Sequence, residues 1–299
     1  MTALSDSGRG RVQEPGRVRG RVAPSGSMTA QVRRSDDAPG DVGWFGGDAF
    51  WAGSGLGHPF LRTMDSGLPV GRTWTEAGEP DDPGAPAVVE LPGDGPAPLL
   101  TSAGEPARLA ALLARVASDL EVAPEGVWVS RGTGAYAHET FAAWGLAWFS
   151  AWDRMATTSA AGLPAAASGV VRLDPERDGR VIAELLAAAN PVTEHAPGRP
   201  DHTWYGVRSA EGSLAAVGAL TVRGRPGERF GHLGGIGTRP GLRGHGLGTA
   251  LTARMTADGI SRHGLVTLGL YADNDRARRI YERLGFRVFQ EVETWRRPV

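Results

Sequence analysis

Residues 238–249 read Thr238-Arg239-Pro240-Gly241-Leu242-Arg243-Gly244-His245-Gly246-Leu247-Gly248-Thr249. The run Phe230 to Thr238 leads into this stretch as an expected strand. Leu247, Ala250, Leu251 and Met255 follow at helical spacing, so an amphipathic helix leads out. Glycines let a backbone approach a ligand closely, and the helix points its free N–H groups and positive end back into the loop. Together they form an anion cradle suited to a pyrophosphate. With 44 glycines in the chain, the triplet carries weight only through its place between strand and helix. A P-loop is excluded because no Gly-Lys-Ser/Thr follows, and the dinucleotide fingerprint lacks its acidic residue about 20 positions on.

The elements around the loop are regular. Val170 to Leu173 reads as a strand, and Asp174-Pro175 opens a helix with proline at its first position. Val181, Ile182, Leu185, Leu186 and Ala189 share one face of that helix, which stops at Asn190-Pro191. Residues 203–208 and 214–222 alternate as strands. Beyond the loop and its helix, Leu265 to Tyr271 is a strand, Asn274 to Leu284 a helix and Phe286 to Thr294 a last strand. The order is β-α-β-β-β-α-β-α-β, a mixed α/β domain.

A second motif lies in Asn274-Asp275-Arg276-Ala277-Arg278-Arg279-Ile280-Tyr281-Glu282-Arg283-Leu284-Gly285-Phe286. Asn274 stands where an N-cap belongs, Ala277, Ile280, Tyr281 and Leu284 make one stripe, and Gly285 is the stop. On these grounds alone, Tyr281 is an aromatic helix residue packing on a sheet.

Together the two motifs, from about residue 168 to 299, resemble the Gcn5-related N-acetyltransferase (GNAT) superfamily. Arg243 to Gly248 matches its Arg/Gln-x-x-Gly-x-Gly/Ala loop, and Asn274 to Phe286 its Asn-x-x-Ala-x-x-x-Tyr-x-x-x-Gly-Phe helix. The resemblance implies the acyl-CoA N-acyltransferase fold, a mixed and mostly antiparallel sheet flanked by helices. It implies transfer of an acetyl group from acetyl-CoA, as co-substrate and without a metal, to a primary amine. Arg243, Gly244, His245, Gly246, Leu247, Gly248 and Thr249 would hold the pyrophosphate, with Asn274 on the cofactor side. The backbone of Ile236, Gly237 and Thr238 would pair with the pantetheine amides, and the Ile236 N–H would polarise the thioester carbonyl. Gly234-Gly235 is where a bulge costs least. Tyr281 would be the general acid for the departing thiolate. The general base is less clear, because many relatives carry a Glu on the strand where this chain has His232, Gly234 and Gly235. His232 is one candidate; Glu194, Asp201 or Glu228 acting through water is the rival. His195 and His202 fall in the loop expected to form the acceptor entrance, where they read as surface positions, with contact to substrate the alternative. Arg276, Arg278, Arg279 and Arg283 read as a solvated basic face. The alternative to an enzyme is a non-catalytic acyl-CoA-binding sensor or interaction module.

Residues 1–40 are rich in Gly, Pro and Arg and are expected to be disordered, with Met28 a second candidate start. Residues 41–160 read as an N-terminal α/β unit containing Trp44, Trp51, Trp74, Trp128, Trp144, Trp148 and Trp152. In it, Ser102 and Glu105 suggest a capping box for a helix from Glu105 to Leu120. Val127 to Ser130 is a short strand, and a helical stretch near His138 precedes an apolar run from Leu146. Between Asp81 and Pro98 the prolines leave at most one strand, Ala87 to Leu91. This helix-strand-helix-strand tail suggests a degenerate GNAT-like half; an unrelated cap over the acceptor pocket is the rival. Residues 156–168 read as a linker, so the GNAT domain is taken as 161–299.

Composition narrows the rest. Hydrophobic content of 41% and charged content of 22% suit a globular protein. The chain has no cysteine and no lysine, which excludes disulfides, thiolate metal sites, a Cys nucleophile and Schiff-base chemistry. A net charge of −1 gives no footprint for nucleic acid or an anionic membrane. Residues 1–27 lack a signal-like apolar segment, so a cytoplasmic location is expected. The expected partner is a small-molecule or peptide amine, with a homodimer left open.

Overall fold

The computed structural model describes residues 58–64, 71–76, 82, 84–93, 95–160, 164–224 and 229–298. The expectations for residues 1–40, Trp44, Trp51 and Glu228 lie outside these. In chain order the elements are α1 (Pro59–Met64), β1 (Thr73–Thr75), β2 (Ala87–Leu91), β3 (Leu99–Ala103), α2 (Pro106–Asp119), β4 (Gly126–Ser130), α3 (Gly134–Ala143) and β5 (Ala147–Thr157). There follow β6 (Val170–Arg172), α4 (Pro175–Ala189), β7 (His202–Arg208), β8 (Leu214–Arg223), β9 (Phe230–Thr238), α5 (Leu247–His263), β10 (Val266–Tyr271), α6 (Asp275–Arg283) and β11 (Arg287–Arg296).

All eleven strands form one sheet in the order β1-β2-β3-β4-β11-β5-β10-β9-β8-β7-β6. Only β3–β4 and β9–β10 pair in parallel; the other neighbours are antiparallel. Towards the centre, β1-β2-β3-β4 on one side mirrors β7-β8-β9-β10 on the other, where β6 is an additional edge strand, and β5 and β11 pair in the middle. Each of these last strands crosses over: β5 lies against β10, and β11 against β4. The helices repeat too, α2 and α3 occupying the places of α5 and α6.

Burial explains the layers. Along β8, Ala216 and Leu220 pack under α5 with Leu251 and Met255, while Val217 and Ala219 pack under α4 with Ile182, Leu185 and Leu186. Two covered faces make this strand apolar almost throughout. In the first half, Leu109, Leu112, Leu113 and Val116 of α2 and Phe141 of α3 cover Val88, Leu100, Val127 and Val129. Full burial of a Leu or Val side chain stabilises by about 1.5–3 kcal/mol. No helix among the described residues is long and apolar enough to cross a membrane.

Several caps agree with the sequence. Asp174 accepts from the Glu176 N–H, Asn274 from the Ala277 N–H, and Gly285 adopts φ +87°. The α2 cap differs: Glu105 itself accepts from the Ala107 and Arg108 N–H groups. Ser102 lies within β3 and donates to the Trp128 carbonyl. Strands β1 and β3 are additions that the proline-rich surroundings hid.

Candidate active site

Strands β9 and β10 pair only from Gly231 to Leu233 against Val266 to Leu268. Both strands continue, β9 to Thr238 and β10 to Tyr271, without further pairing between them. They splay into a V whose vertex is the Leu233–Leu268 pair. On the other side of β9 the register with β8 slips between Val217 and Ala219, and Gly235 takes φ +58°. A β-bulge therefore sits at the expected Gly234-Gly235 and turns the backbone of Ile236, Gly237 and Thr238 away from a regular ladder.

At the open end of the V stands the N-terminus of α5. The first bond within this helix joins the Ala250 N–H to the Gly246 carbonyl, which leaves the N–H groups of Leu247, Gly248 and Thr249 at the helix end. Gly246 is the N-cap in the left-handed region, φ +77°, and offers no side chain to fill the position. A Cβ on Gly248 would approach Thr238 Oγ1 to 3.4 Å, so the helix start lies close against the end of β9. Arg243 turns back, donating to the carbonyls of Thr238 and Ala189, and thereby pins the loop between β9 and α4. His245 is exposed, its Nδ1 3.3 Å from the Leu242 carbonyl. Asn274 spends its side-chain oxygen on the α6 cap.

The basic face of α6 divides. Arg276 lies beside the loop, 3.9 Å from the point a Cβ on Gly244 would occupy, and so places a cation next to it. Arg278 is not solvated as expected: it forms an ion pair with Asp153, a fully buried carboxylate on β5 that also binds Arg131. Helical periodicity placed Arg278 on the polar face, but β5, contributed by the first half, covers that face.

Tyr281 is 9% exposed and packs in the α5 core cluster, its ring 6.1 Å from Phe286. Burial pushes its hydroxyl up to about 12, so it carries its proton throughout the neutral range.

His232 projects from the opposite face of β9 and is buried. Its Nδ1 lies 3.3 Å from Arg154 Nη1 and 2.9 Å from Thr267 Oγ1. A guanidinium can only donate, so the Nδ1 lone pair accepts from Arg154 and the proton of the neutral ring sits on Nε2. Burial first, then the charges of Arg223 and Arg154, hold His232 well below the usual histidine value. This ring has no lone pair left for a substrate.

On the face of β9 that carries His232 lies a cluster that sequence reasoning left as surface loop. His195, between α4 and β7, stacks on His232 at 6.3 Å. Its Nδ1 is 2.8 Å from His202 Nε2, and His202 Nδ1 is 2.9 Å from an oxygen of Asp201. The His195 ring edge fills the space a side chain at position 234 would need: a Cβ there would meet its Nε2 at 1.9 Å. Burial first, then His202 and Arg223, lower His195 to about 4. The hints in the sequence were the place of His195 and His202 in the expected acceptor-entrance loop and the two glycines on β9, which leave room for a group from elsewhere.

The first half holds the corresponding place in another state. There the α2 N-terminus is capped by the Glu105 carboxylate, with Pro106 following. The gap between the ends of β3 and β4 is bridged, Ser102 donating to the Trp128 carbonyl and the Gly104 N–H to Ser130 Oγ. A cavity of about 670 Å³ remains nearby, lined by residues that include Glu105, Arg131 and Arg278. Among the described residues, no group of three or more metal-ligating side chains is arranged to hold an ion.

Residues 173–286 match the model of the acetyltransferase (GNAT) family. The chain is 40% identical over 76 residues to mycothiol acetyltransferase of Streptomyces scabiei, covering 25% of this chain and 24% of that protein. It is 44% identical over 52 residues to N-alpha-acetyltransferase 40 of Saccharomyces cerevisiae, covering 15% and 18% respectively. The chain thus spans about a quarter or less of the length of these curated relatives. A Drosophila protein of known structure superposes with a TM-score of 0.54 at 16% identity, over 78% of this chain and 81% of that one, a likeness of fold. The C-terminal domain of the chain, with its splayed β9–β10 pair and uncapped α5, is a member of the GNAT superfamily.

Proposed function

We propose that residues 161–299 transfer an acetyl group from acetyl-CoA to a primary amine by direct attack on the thioester. The observation that carries this reading is the V between β9 and β10, which runs from a buried vertex to the free N–H groups of α5. The N–H groups of Leu247, Gly248 and Thr249, with Arg276 beside Gly244, suit the pyrophosphate. The unpaired backbone of Ile236 to Thr238 suits the pantetheine amides, and the Ile236 N–H the thioester carbonyl. Tyr281, kept protonated by burial, is the group that returns a proton to the thiolate.

Residues 41–160 are the degenerate half of a pseudo-tandem pair. The mirrored strand order supports this, and the Glu105 cap with the Ser102 and Ser130 bridges explains why this half would not hold a second coenzyme. The acceptor is an amine-bearing small molecule or a peptide amino terminus, the kinds of substrate that the names of the two relatives suggest.

The test is release of free thiol from acetyl-CoA with spermidine, glucosamine, tryptamine and a Ser-Gly-Gly-Gly peptide as acceptors. Amine-dependent release above background hydrolysis is expected with at least one. Coenzyme A binding without release from a broader amine library would favour the sensor reading.

A further inference from the structure

We propose that His195 is the catalytic base that takes the proton from the attacking amine, positioned by His202 and Asp201 as a relay to solvent. This rests on the transferase reading above, and the observations below are independent of the motifs that support it.

The first observation is place. His195 Nε2 lies against β9 at Gly234, the first residue beyond the last β9–β10 pair. That is the vertex of the V, on the face opposite the α5 core. A thioester carbonyl held at the bulge would have the coenzyme arm toward α5 and this nitrogen on the acceptor side. Trp204 and the bulge residue Gly235 wall the same spot, a Cβ on Gly235 meeting the Trp204 ring at 3.3 Å.

The second observation is that the hydrogen bonds have one direction. The Asp201 carboxylate can only accept, so His202 Nδ1 carries a proton, and in the neutral ring Nε2 is a lone pair. That lone pair must accept from His195 Nδ1, which leaves His195 Nε2 unprotonated and facing the vertex. The chain of three groups fixes both tautomers, as a carboxylate behind an imidazole does in other catalytic arrangements. The His202 side chain is 5% exposed and that of Asp201 49%, so the relay runs from a covered ring to water.

The step balances. The amine nitrogen forms a bond to the thioester carbon while its proton passes to His195 Nε2. His195 gives its Nδ1 proton to His202 Nε2, and His202 gives its Nδ1 proton to Asp201 and on to water. The C–S bond breaks, the sulfur keeps its electron pair and takes the Tyr281 proton, and the tyrosine recovers one from solvent. The products are the N-acetyl amine and coenzyme A. Arg199, Asp201 and His202 face His195 from its own connection and β7, Arg223 from β8 and His232 from β9. Their excess of positive charge, with burial, keeps the ring neutral and ready to accept.

The tautomers are read directly by nitrogen NMR of histidine-labelled full-length protein at neutral pH, without any acceptor. His195 and His202 should both carry their proton on Nδ1; a proton on His195 Nε2 overturns the relay whatever the turnover. Kinetics then use acetyl-CoA with the four amines named above. His195→Ala and His195→Gln should lose about 10²-fold or more in kcat at unchanged coenzyme A affinity. Added imidazole should restore part of the rate to His195→Ala, which a purely structural loss would not allow. Asp201→Asn should cost less and move the acid limb of kcat to lower pH, because its charge favours the protonated ring. Wild-type turnover in His195→Gln would overturn the proposal while leaving the transferase reading intact. Predicted tautomers in a wild-type protein that releases no thiol would instead sink the transferase reading.

Discussion

Gly234→Ala tests the vertex without touching a titratable group. The added methyl would sit 1.9 Å from His195 Nε2, 2.3 Å from Cε1 and 2.6 Å from Cδ2. Comfortable contact is about 3.5–4 Å, so the ring edge must retreat by roughly 1.5–2 Å. That movement breaks the 2.8 Å bond to His202, a net loss of about 0.5–1.5 kcal/mol. Gly234 is not among the positive-φ glycines, so alanine brings no backbone strain and stiffens the unfolded chain, returning about 0.4–1 kcal/mol. Stability should therefore change by less than about 1 kcal/mol in urea unfolding. Activity should fall much further, since a misplacement of about 1 Å costs on the order of 10²-fold. Coenzyme A affinity, measured by calorimetry, should hold, because the pyrophosphate loop begins beyond Thr238. Wild-type kcat in a normally folded Gly234→Ala protein would refute the placement of His195 at the reacting centre.

Other perturbations have distinct signatures. Tyr281→Phe should lower kcat by about 10²-fold at constant coenzyme A affinity, and normal turnover would remove the acid role. Gly246→Val forces a branched residue into the left-handed cap at φ +77° and covers the free N–H groups; coenzyme A affinity should drop at least about tenfold by calorimetry. Asp153→Asn leaves Arg131 and Arg278 facing a neutral group; losing such a pair costs about 3–5 kcal/mol when dry. Here the two guanidinium side chains are 29% and 23% exposed, so about 2–3 kcal/mol in urea unfolding is expected. His58, His195 and His232 all have lowered pKa values, the first two near 4. Between pH 6.5 and 4 the unfolded chain binds more protons than the folded one, so stability should fall as pH falls through this window. A flat urea midpoint across that range would contradict the burial of these rings.

The elements that frame the proposed cofactor side were legible because their signals are local. One glycine loop between strand and helix, and one capped helix ending at Gly285, carry their signals in consecutive residues. Strand bounds from β7 to β11 came within a few residues for the same reason, each being set by nearby turns. What escaped depends on contacts distant in sequence. The exchange of β5 and β11 follows from the register of Trp152 and Val292 across the centre, which no local pattern records. Arg278 looked solvated until Asp153, 125 residues earlier in the chain, closed over it. The base was sought at His232 on β9, which faces Arg154, or in a carboxylate, Glu194, Asp201 or Glu228, acting through water. The group beside the vertex comes instead from a polar loop, and only folding brings His195 to Gly234.

The most direct test of the whole reading is a calorimetric titration of the full chain with coenzyme A, comparing Gly246→Val with Glu105→Ala. One molecule should bind per wild-type chain, lost in Gly246→Val and retained in Glu105→Ala. Two molecules per chain, or one that survives Gly246→Val, would contradict the assignment of the site to the V between β9 and β10.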